Sequence, residues 1–544
     1  MQTESAKWFV ISALLCENSA DAERWITSKM PAADLILKNA NVVTVDPRQP
    51  TAELVAIKGD KILLVGGSES LESVRGAGTR VIDCQSKTVV PGFNDAHCHP
   101  FSLVRKLISI DLSPPAVSSI SDIKAAISQK ARNTPAGQWI ICTDYHDFYL
   151  AEERHPTRWE IDEVAPDHPV LLSHRSLHAC VLNSRALSLA GITGETPEPP
   201  GALFERDLDS GEPNGLLFEM LGHIREKIVP PMFEAEMNKG ITLANQHYLS
   251  QGITSIQNAS MINDFKRWQT CRRLKDAGEL ESRIYMMCGV ETLSEFQEAG
   301  LSFGSGDSQL RLGAVKMILS EATGQLYPPQ PELNQQVLNT HQAGFQLAIH
   351  AVQPSTVKAA SIALEFTYSQ LPQVGRRHRI EHCSECPPHL LGRLKKLQAV
   401  VVTQPPFIYY SGDRYLATVP PERQPWLYRI GTWLKNGLVV AGSSDSPIVP
   451  DNPLIGIYGA VTRQTQSGQP LLPGQRISAS QALAMYTING AYASFEEGIK
   501  GSITPGKLAD IVLLSDDPTK VPPEQIKDIK VEMTMIGRKV VWEG

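Results

Sequence analysis

Eight short apolar segments, separated by stretches long enough to hold helices, constrain this 544-residue chain more than any other feature. Strands that alternate with helices form parallel sheets, and eight of them predict a distorted TIM (β/α)₈ barrel, an α/β fold. Residues 331–343 have the pattern of one connecting helix, which Gly344 is expected to end. In chain order, the predicted strands are residues 89–99, 254–258, 284–290, 312–319, 345–350, 378–382, 400–404 and 438–445.

The segments outside this series define the other predicted domains. The gap after the first strand is too long for one connection, so we expect an inserted subdomain with strands near 139–143 and 170–182. Both chain ends contain short strands, but neither is long enough to bury a core alone, so we expect one small β-sandwich built from both. The predicted bounds are 34–88 and 496–544 for the sandwich, 89–495 for the barrel and about 100–231 for the insertion.

Residues 1–33 are predicted to be a poorly ordered extension. The apolar run at 7–16 faintly resembles a signal peptide, but it is short, Glu4 precedes it and no clean cleavage site follows. Met30 lies directly before the first convincing strand, so the alternative is a start assigned too early.

Composition excludes several classes of partner. The net charge is −7 without a basic stripe, which argues against nucleic acid and anionic membranes. No apolar stretch reaches the ~20 residues that a membrane span needs. Nine irregularly spaced cysteines argue against a disulfide framework and for a reducing, cytoplasmic setting, and the lone Cys383-x-x-Cys386 pair is weak evidence for structural zinc. We expect a small-molecule substrate and a homodimer.

Metal-binding side chains end four of the predicted strands. His97 and His99 are two residues apart, so both side chains point to the same face of their strand. His350, His382 and Asp445 end three further strands. Each, taken alone, is more readily explained as a core polar residue bonded to a neighbour. Because barrel strands end at one rim, the set together predicts a divalent metal site, of one or two ions and preferably zinc.

Lys316 is an unusual residue for the fourth predicted strand, where it shares a face with Leu312, Ala314 and Ile318. A charged ammonium would be costly among apolar groups inside a barrel. Reaction with CO₂ would convert the amine into an anionic carbamate able to bridge two metal ions. The alternative is an ordinary ion pair of Lys316 with Glu321 or Asp445.

These motifs together resemble the amidohydrolase superfamily, in the family 3 group that includes N-substituted formamide deformylases. The resemblance runs from about residue 34 to the C-terminus and includes segments 183–187, 211–217 and 501–510. The pattern is specific for the superfamily and poorly specific for substrate. The residues that carry it are PGFNDAHCH at 91–99, VK at 315–316, IHA at 349–351, RIEH at 379–382 and SSDSP at 443–447.

The resemblance implies a two-metal hydrolase. A bridging hydroxide would be the nucleophile, since zinc lowers the pKa of bound water from 15.7 to about 7. Asp445 would move its proton to the leaving group, and the second ion would polarise the carbonyl. The implied ligands are His97, His99 and Asp445 for the more buried ion, His350 and His382 for the second, and carboxylated Lys316 between them.

Single-metal deaminases share the barrel and are the nearest competitor. Their resemblance would imply a Glu a few residues after the fifth-strand histidine and no lysine on strand four. Here His350 is followed by Ala351-Val352-Gln353, and Lys316 is present, so the two-metal class is favoured.

Substrate contacts are predicted less sharply. His178 matches a histidine of the family's insertion and is expected either to bind substrate or to pack the subdomain. An aromatic rim with few fixed charges, within reach of Arg414 and Arg463, favours a hydrophobic N-substituted amide. The predicted rim residues are Phe148, Tyr149, Tyr327, Phe407, Tyr409 and Tyr410. The remaining predicted substrate contacts are Gln404, Arg463, Glu321, Tyr327 and Tyr409.

The predicted function is hydrolysis of an amide C–N bond, other than a peptide bond, in a small molecule. The alternatives are hydrolysis of a lactone, ester or carbamate, or deamination. A signalling or binding protein that kept the fold without turnover is the alternative from another class.

Overall fold

A computed structural model describes residues 31–231, 234–321, 324–372 and 375–544. Its centre is an eight-stranded parallel sheet in which neighbours in sequence are neighbours in space. Two backbone hydrogen bonds, Asp445 N to His97 O at 2.8 Å and His99 N to Ser446 O at 2.7 Å, join the last strand to the first. The barrel strands one to eight are Phe93–Cys98, Ile253–Asn258, Arg283–Gly289, Leu310–Ile318, Leu347–Ala351, Arg379–His382, Val400–Thr403 and Val440–Gly442.

The predicted first strand, residues 89–99, is wrong in one respect, because the run divides at Gly92. Thr88–Pro91 pairs with Ile511–Leu514 in another sheet, and only Phe93–Cys98 enters the barrel. A Cβ at Gly92 would lie 2.2 Å from the Thr254 hydroxyl, so this close crossing requires glycine.

Two sheets from the chain ends pack beside the barrel. One contains Lys61–Gly66, Leu54–Lys58, Leu35–Lys38 and Arg80–Asp83 in that order. In the other, three C-terminal strands lie beside three N-terminal strands, and the two groups meet where Ile511–Leu514 pairs with Thr88–Pro91. A buried ion pair between Arg283 Nε and Asp510 Oδ2 at 2.6 Å connects this sheet to barrel strand three. This second sheet is ordered Lys539–Glu543, Val531–Ile536, Ile511–Leu514, Thr88–Pro91, Asn41–Val43 and Thr51–Ala52. The predictions for residues 1–30 lie outside the described residues.

The insertion after strand one forms a six-stranded sheet of its own. The single strand predicted at 170–182 is instead a hairpin, because a turn at Ser176-Leu177 separates two antiparallel strands. Arg175 Nε on this turn donates to Ile448 O at 2.6 Å, which fixes the insertion to the loop after barrel strand eight. The sheet order is Leu203–Arg206, Pro213–Phe218, Ala179–Leu182, Val170–His174, Ile140–Tyr145 and Ile110–Asp111.

Helices cover the outside of the barrel, and the predicted helix at 331–343 is observed as Gln330–Gln342, followed by Gly344 at φ 85°. No helix within the described residues is long and apolar enough to cross a bilayer. The α-helices of the sandwich and insertion are Leu71–Val74, Pro100–Ile108, Ile120–Ala131, Arg158–Asp162, Ser184–Ala190 and Leu221–His223. Those that follow are Glu234–Ser250, Phe265–Asp276, Leu293–Glu298, Gln330–Gln342, Pro354–Gln370, Pro388–Lys396, Pro406–Tyr410, Gly412–Thr418, Ile430–Lys435, Pro453–Thr462, Ala479–Met485 and Ile488–Ala493.

Strand four does not keep a strict two-residue period. Its register with strand three shifts between the pairs Met286–Leu312 and Cys288–Val315. Leu312 therefore packs with Val315 in the large cluster against the outer helices, while Ala314 packs in a separate cluster with residues of neighbouring strands. The prediction that Leu312 shares the face of Lys316 is wrong, because the bulge changes the alternation between them.

Candidate metal centre

His97, His99 and Asp445 meet where the first and last barrel strands are joined. His99 Nε2 lies 3.1 Å from Asp445 Oδ1, and His97 Nε2 lies 3.5 Å from the same oxygen. One potential ligand atom from each residue lies within 4.8 Å of the other two. Their backbones are tied by the closing hydrogen bonds, so barrel closure itself brings this ligand set together.

Behind His97 lies a buried carboxylate that sequence reasoning did not assign. Glu381 accepts a very short hydrogen bond from His97 Nδ1. Arg379 holds this carboxylate through Nε at 2.7 Å and Nη2 at 3.0 Å, and all three side chains are buried. With Nδ1 directed at Glu381, Nε2 of His97 is left facing the site, the arrangement that orients metal-binding histidines. Glu381 lies inside the RIEH motif, so a buried acid beside a strand-end histidine was the available signal.

The same principle applies to His382 and His99. His382 Nδ1 lies 2.9 Å from Gln404 Oε1, while His382 Nε2 is buried without a hydrogen-bond partner among the described residues. His99 Nδ1 lies 3.0 Å from Ser260 Oγ. His350 completes the group, with its ring centroid 4.4 Å from that of His382.

Lys316 lies at the centre of this arrangement. Its Nζ is 3.3 Å from His97 Nε2, and its side chain is buried. Burial lowers the pKa of Lys316 to about 8, although the charges of Glu381 and Asp445 act to raise it. The alternative pairing with Glu321 is not observed, because Glu321 accepts instead from Ser355 Oγ at 2.5 Å.

Burial keeps His97, His350 and His382 neutral. It lowers the pKa of His382 to about 4 and the pKa values of His97 and His350 well below their usual range. Burial acts to raise the pKa of Asp445, but the hydrogen bond from His99 and the neighbouring imidazoles outweigh it, so the net shift is downward. Neutral imidazoles beside an ionised carboxylate are the forms that bind a divalent metal.

The donor set therefore fits a divalent metal ion. The orphaned His382 Nε2 is the strongest single observation, because a buried nitrogen without a partner is costly unless something else binds it. His97 Nδ1 is bonded to Glu381 and His382 Nδ1 to Gln404, which leaves Nε2 of each ring available for a metal ion.

Asp95 is a second buried acid that sequence reasoning missed. It accepts from His97 N at 3.2 Å, from Ser444 N at 3.1 Å and from the Ser444 hydroxyl through a short bond. Burial raises the pKa of Asp95 to about 7. Its contacts hold the ends of strands one and eight in position beside the metal-binding residues.

His178 reaches the site from the insertion. Its ring centroid lies 5.4 Å from that of His350, and its Nδ1 lies 3.1 Å from both oxygens of Glu219. Desolvation opposes a charge on His178, but the hydrogen bond and charge of Glu219 outweigh it and raise the pKa of His178. Ser320 Oγ donates to Glu219 at 3.1 Å, so this pair also connects the insertion to the loop after strand four.

Two cavities meet at His178 and His350. One, of about 400 Å³, is bounded by apolar Leu203, Phe218 and Leu319 together with Glu219 and Glu321. The other, of about 310 Å³, reaches His382 and Asp445 and is lined further out by aromatic and basic side chains. The metal centre thus opens into a space with two differently lined arms.

The predicted substrate contacts lie in different environments. Glu321 lines the first cavity, Tyr327 is 41% exposed beside Gly201, and Tyr409 packs on Tyr410 and Tyr458. Among the described residues that line the two cavities, neither Tyr327 nor Tyr409 is present. Of the predicted aromatic rim, Phe407 lies in the second cavity.

Gln404 and Arg463 are buried and bonded to other parts of the protein. Gln404 is fully buried, with Oε1 on His382 and Nε2 donating to Ser443 Oγ at 3.0 Å, so its amide fixes the His382 ring. Arg463 is also fully buried and donates to the carbonyls of Leu471, Tyr428 and Leu427. The guanidinium therefore connects the loops at 427–428 and 471, because Nε and both Nη atoms donate to backbone carbonyls.

The barrel, and the potential metal ligands that converge at its rim, define a metal-dependent hydrolase. The family that matches residues 80–542 is the amidohydrolase family, and the chain belongs to it. The predicted resemblance is thereby confirmed, as is the prediction of a metal-dependent enzyme.

Individual relatives extend over nearly the whole chain. The N-substituted formamide deformylase of Arthrobacter pascens is 30% identical and covers 94% of this chain and 98% of its own. The putative amidohydrolase YtcJ of Bacillus subtilis (strain 168) is 26% identical and covers 90% and 96%. An uncharacterized metal-dependent hydrolase from Pyrococcus horikoshii OT3 has a TM-score of 0.72 at 25% identity, covering 90% of this chain and 99% of that chain.

Proposed function

We propose that this protein hydrolyses the amide C–N bond of a small N-substituted amide with an apolar substituent. The observation that carries the proposal is the convergence of neutral imidazoles, Asp445 and Lys316 on one point at the floor of two joined cavities. The similarity to an N-substituted formamide deformylase supports an amide as the substrate. Apolar Leu203, Phe218 and Phe407 on the cavity walls suit a hydrophobic group beside the scissile bond.

In this proposal His97, His99 and Asp445 hold one divalent ion, preferably zinc, and His350 and His382 hold a second. Bound zinc would lower the pKa of water to about 7 and polarise the amide carbonyl. Asp445 reaches the cavity, and its lowered pKa keeps it ionised at neutral pH, so the carboxylate can accept a proton transiently and return it to the leaving nitrogen.

Lys316 is proposed to carry a CO₂-derived carbamate that joins the two ions. A lysine whose pKa lies near 8 has a substantial fraction of neutral amine at neutral pH. That amine adds to CO₂, forming an N–C bond and releasing one proton, and the product is an anion in place of a cation. An anion at this position would compensate two divalent charges, whereas an ammonium 3.3 Å from His97 Nε2 would oppose them.

His178 is proposed to bind the substrate carbonyl. Glu219 fixes its ring through Nδ1, so Nε2 is free to donate a hydrogen bond into the space beside His350. A donor there would stabilise negative charge that develops on the carbonyl oxygen.

The test is a rate comparison with metal-loaded enzyme across N-benzylformamide, an aryl ester, a lactone and an aminopurine. The expected result is fastest cleavage of the formamide, with one to two equivalents of metal by elemental analysis. Faster turnover of the ester or lactone would contradict the proposed amide specificity. Faster deamination of the purine would contradict the proposed reaction type. Absence of metal after expression with zinc or manganese would overturn the enzymatic proposal.

The carbamate is tested separately with Lys316→Ala. This change should remove the bridging anion, lower the metal content and abolish most activity, and short carboxylates such as formate or acetate should restore part of both. Lys316→Gln serves as the matched control, because its amide cannot form a carbamate and fills the space that a rescuing carboxylate needs. Equal response of the two variants to carboxylate would contradict the carbamate.

A further inference from the structure

The second cavity has a basic arm. Arg175 and Arg414 both line it, as do His382 and Asp445, which belong to the metal centre. Arg414 lies on the helix Gly412–Thr418, with its guanidinium 4.7 Å from the centre of the Tyr415 ring. Arg175 lies on the turn of the insertion hairpin, fixed by its bond to Ile448 O. Two separate elements thus bring two guanidinium groups to one wall.

These two charges lack a carboxylate partner. Over the residues that the structure describes, no acidic side chain lies within ion-pair distance of either guanidinium. The charge of Asp144 acts on Arg175, but the ion pair of Asp144 is with Lys106. Glu385, which lines the same cavity, pairs with Arg423. Asp413, which precedes Arg414, accepts from Thr465 and Ser467.

The two arginines also affect each other and their surroundings. Burial lowers the pKa of Arg175; the charge of Asp144 acts against this shift, and the like charge of Arg414 adds to it. Burial raises the pKa of Tyr149, whose hydroxyl donates to Tyr410 O, and both positive charges act against that rise. Like charges held together beside a cavity are unfavourable until an anion enters between them.

We propose that the substrate carries a carboxylate, which Arg175 and Arg414 bind while the amide lies at the metal centre. Guanidinium groups recognise carboxylates through paired hydrogen bonds, and their charge is fixed over the working pH range. Phe407, Tyr415 and Tyr428 line the same cavity and provide an apolar wall between the two ends. The substrate class is therefore an N-acyl or N-formyl amino acid with an apolar side chain.

This inference rests on the proposed amide hydrolysis. A matched pair of substrates distinguishes recognition of the carboxylate from cleavage of the amide. N-formylphenylalanine and N-formyl-2-phenylethylamine share the scissile bond and the phenyl group and differ by one carboxylate. The metal-loaded wild type should favour the acid through a lower KM. Arg414→Met keeps an unbranched apolar stem and removes the guanidinium, and it should reduce the acid-to-neutral ratio of kcat/KM by about ten- to a hundredfold. Arg175→Met should act in the same direction.

Arg80→Met is the control for loss of one positive charge, because Arg80 is exposed on the sandwich far along the chain from the cavity. It should leave the acid-to-neutral ratio at the wild-type value. An unchanged ratio in Arg414→Met and Arg175→Met, or a wild-type preference for the neutral substrate, would overturn the carboxylate site while leaving amide hydrolysis in place.

A binding measurement tests the two arginines even if the protein cleaves neither formamide. If neither formamide is cleaved, the proposed function fails, and calorimetry with 3-phenylpropionate then tests the arginines directly. Its affinity for the metal-loaded protein should fall about tenfold or more in Arg414→Met, with metal content unchanged. Equal affinity in wild type and Arg414→Met would overturn the inference, because any carboxylate bound by metal alone would be unaffected.

Discussion

Two clusters of histidine around an aspartate border the same cavity, and they hold their imidazoles differently. The rim cluster contains His97, His99, His350, His382 and Asp445. In it, Nδ1 is bonded to Glu381, Ser260 or Gln404 in three of the four rings. Nε2 of each of these rings is thereby left available for a metal ion.

The insertion cluster contains His146, Asp147, His155 and His174. His174 Nδ1 accepts from Ser176 N at 3.1 Å, so its Nε2 carries the proton and donates to Asp147 Oδ1 at 3.0 Å. His146 Nδ1 accepts from Phe148 N at 3.3 Å. His155 Nδ1 lies 2.9 Å from the Tyr145 hydroxyl. Each of these rings therefore has at least one nitrogen bonded within the insertion.

The difference teaches that donor proximity alone does not define a metal centre. In both clusters three potential ligand atoms lie within 4.8 Å of one another. What distinguishes the rim is the set of acceptors behind the rings, which leaves a lone pair on the facing nitrogen. The insertion cluster instead forms a hydrogen-bonded network beside the wall of the cavity.

The largest expected difference is between His382→Ala and His174→Ala. Both histidines are buried, at 3% and 7% exposure, so the two truncations are structurally matched. His382→Ala should lose metal and reduce hydrolysis to background, because it removes a proposed ligand. His174→Ala should keep the wild-type metal content, measured by elemental analysis beside initial rates. Loss of one metal equivalent in His174→Ala would make the insertion cluster a metal site and end the distinction.

A smaller effect is expected from the acceptor behind His382. Gln404→Leu removes the group that bonds His382 Nδ1, and zinc affinity should fall by about ten- to a hundredfold. Gln404→Glu keeps an acceptor and should recover much of the affinity, measured by competition with a chelator. The matched change in the insertion is Tyr145→Phe, which removes the hydroxyl 2.9 Å from His155 Nδ1. If Tyr145→Phe weakens zinc binding as much as Gln404→Leu, the acceptors do not explain the contrast.

The smallest effect concerns acid stability. Burial acts to raise the pKa of Asp147, but hydrogen bonds and charges from His146, His174 and His155 outweigh it and lower the pKa below its usual value. A carboxyl with a depressed folded pKa adds stability above its unfolded pKa of about 3.9 and loses it as the pH falls further. Asp147→Asn should therefore lower Tm at pH 7, and the gap to wild type should narrow below about pH 4. A gap that widens in acid would contradict the network.

The sequence by itself determined the barrel strands and the identity of the polar residues at their ends. His97 and His99 share a face because side-chain direction along a strand depends only on local spacing. His350, His382 and Asp445 could be placed at one rim because parallel strands in a barrel all end on the same side. These inferences need only periodicity, strand order and the direction of the chain.

Only the tertiary structure decided how each side chain is used. Glu381 is 284 residues from His97 along the chain, and no local pattern predicts which ring nitrogen it occupies. The register shift in strand four turned Leu312 outward, and Gln404 and Arg463 have buried hydrogen-bond partners on distant segments. Hydrogen bonds between distant segments form only after the fold brings them together, so their partners depend on packing that a single stretch of sequence does not contain.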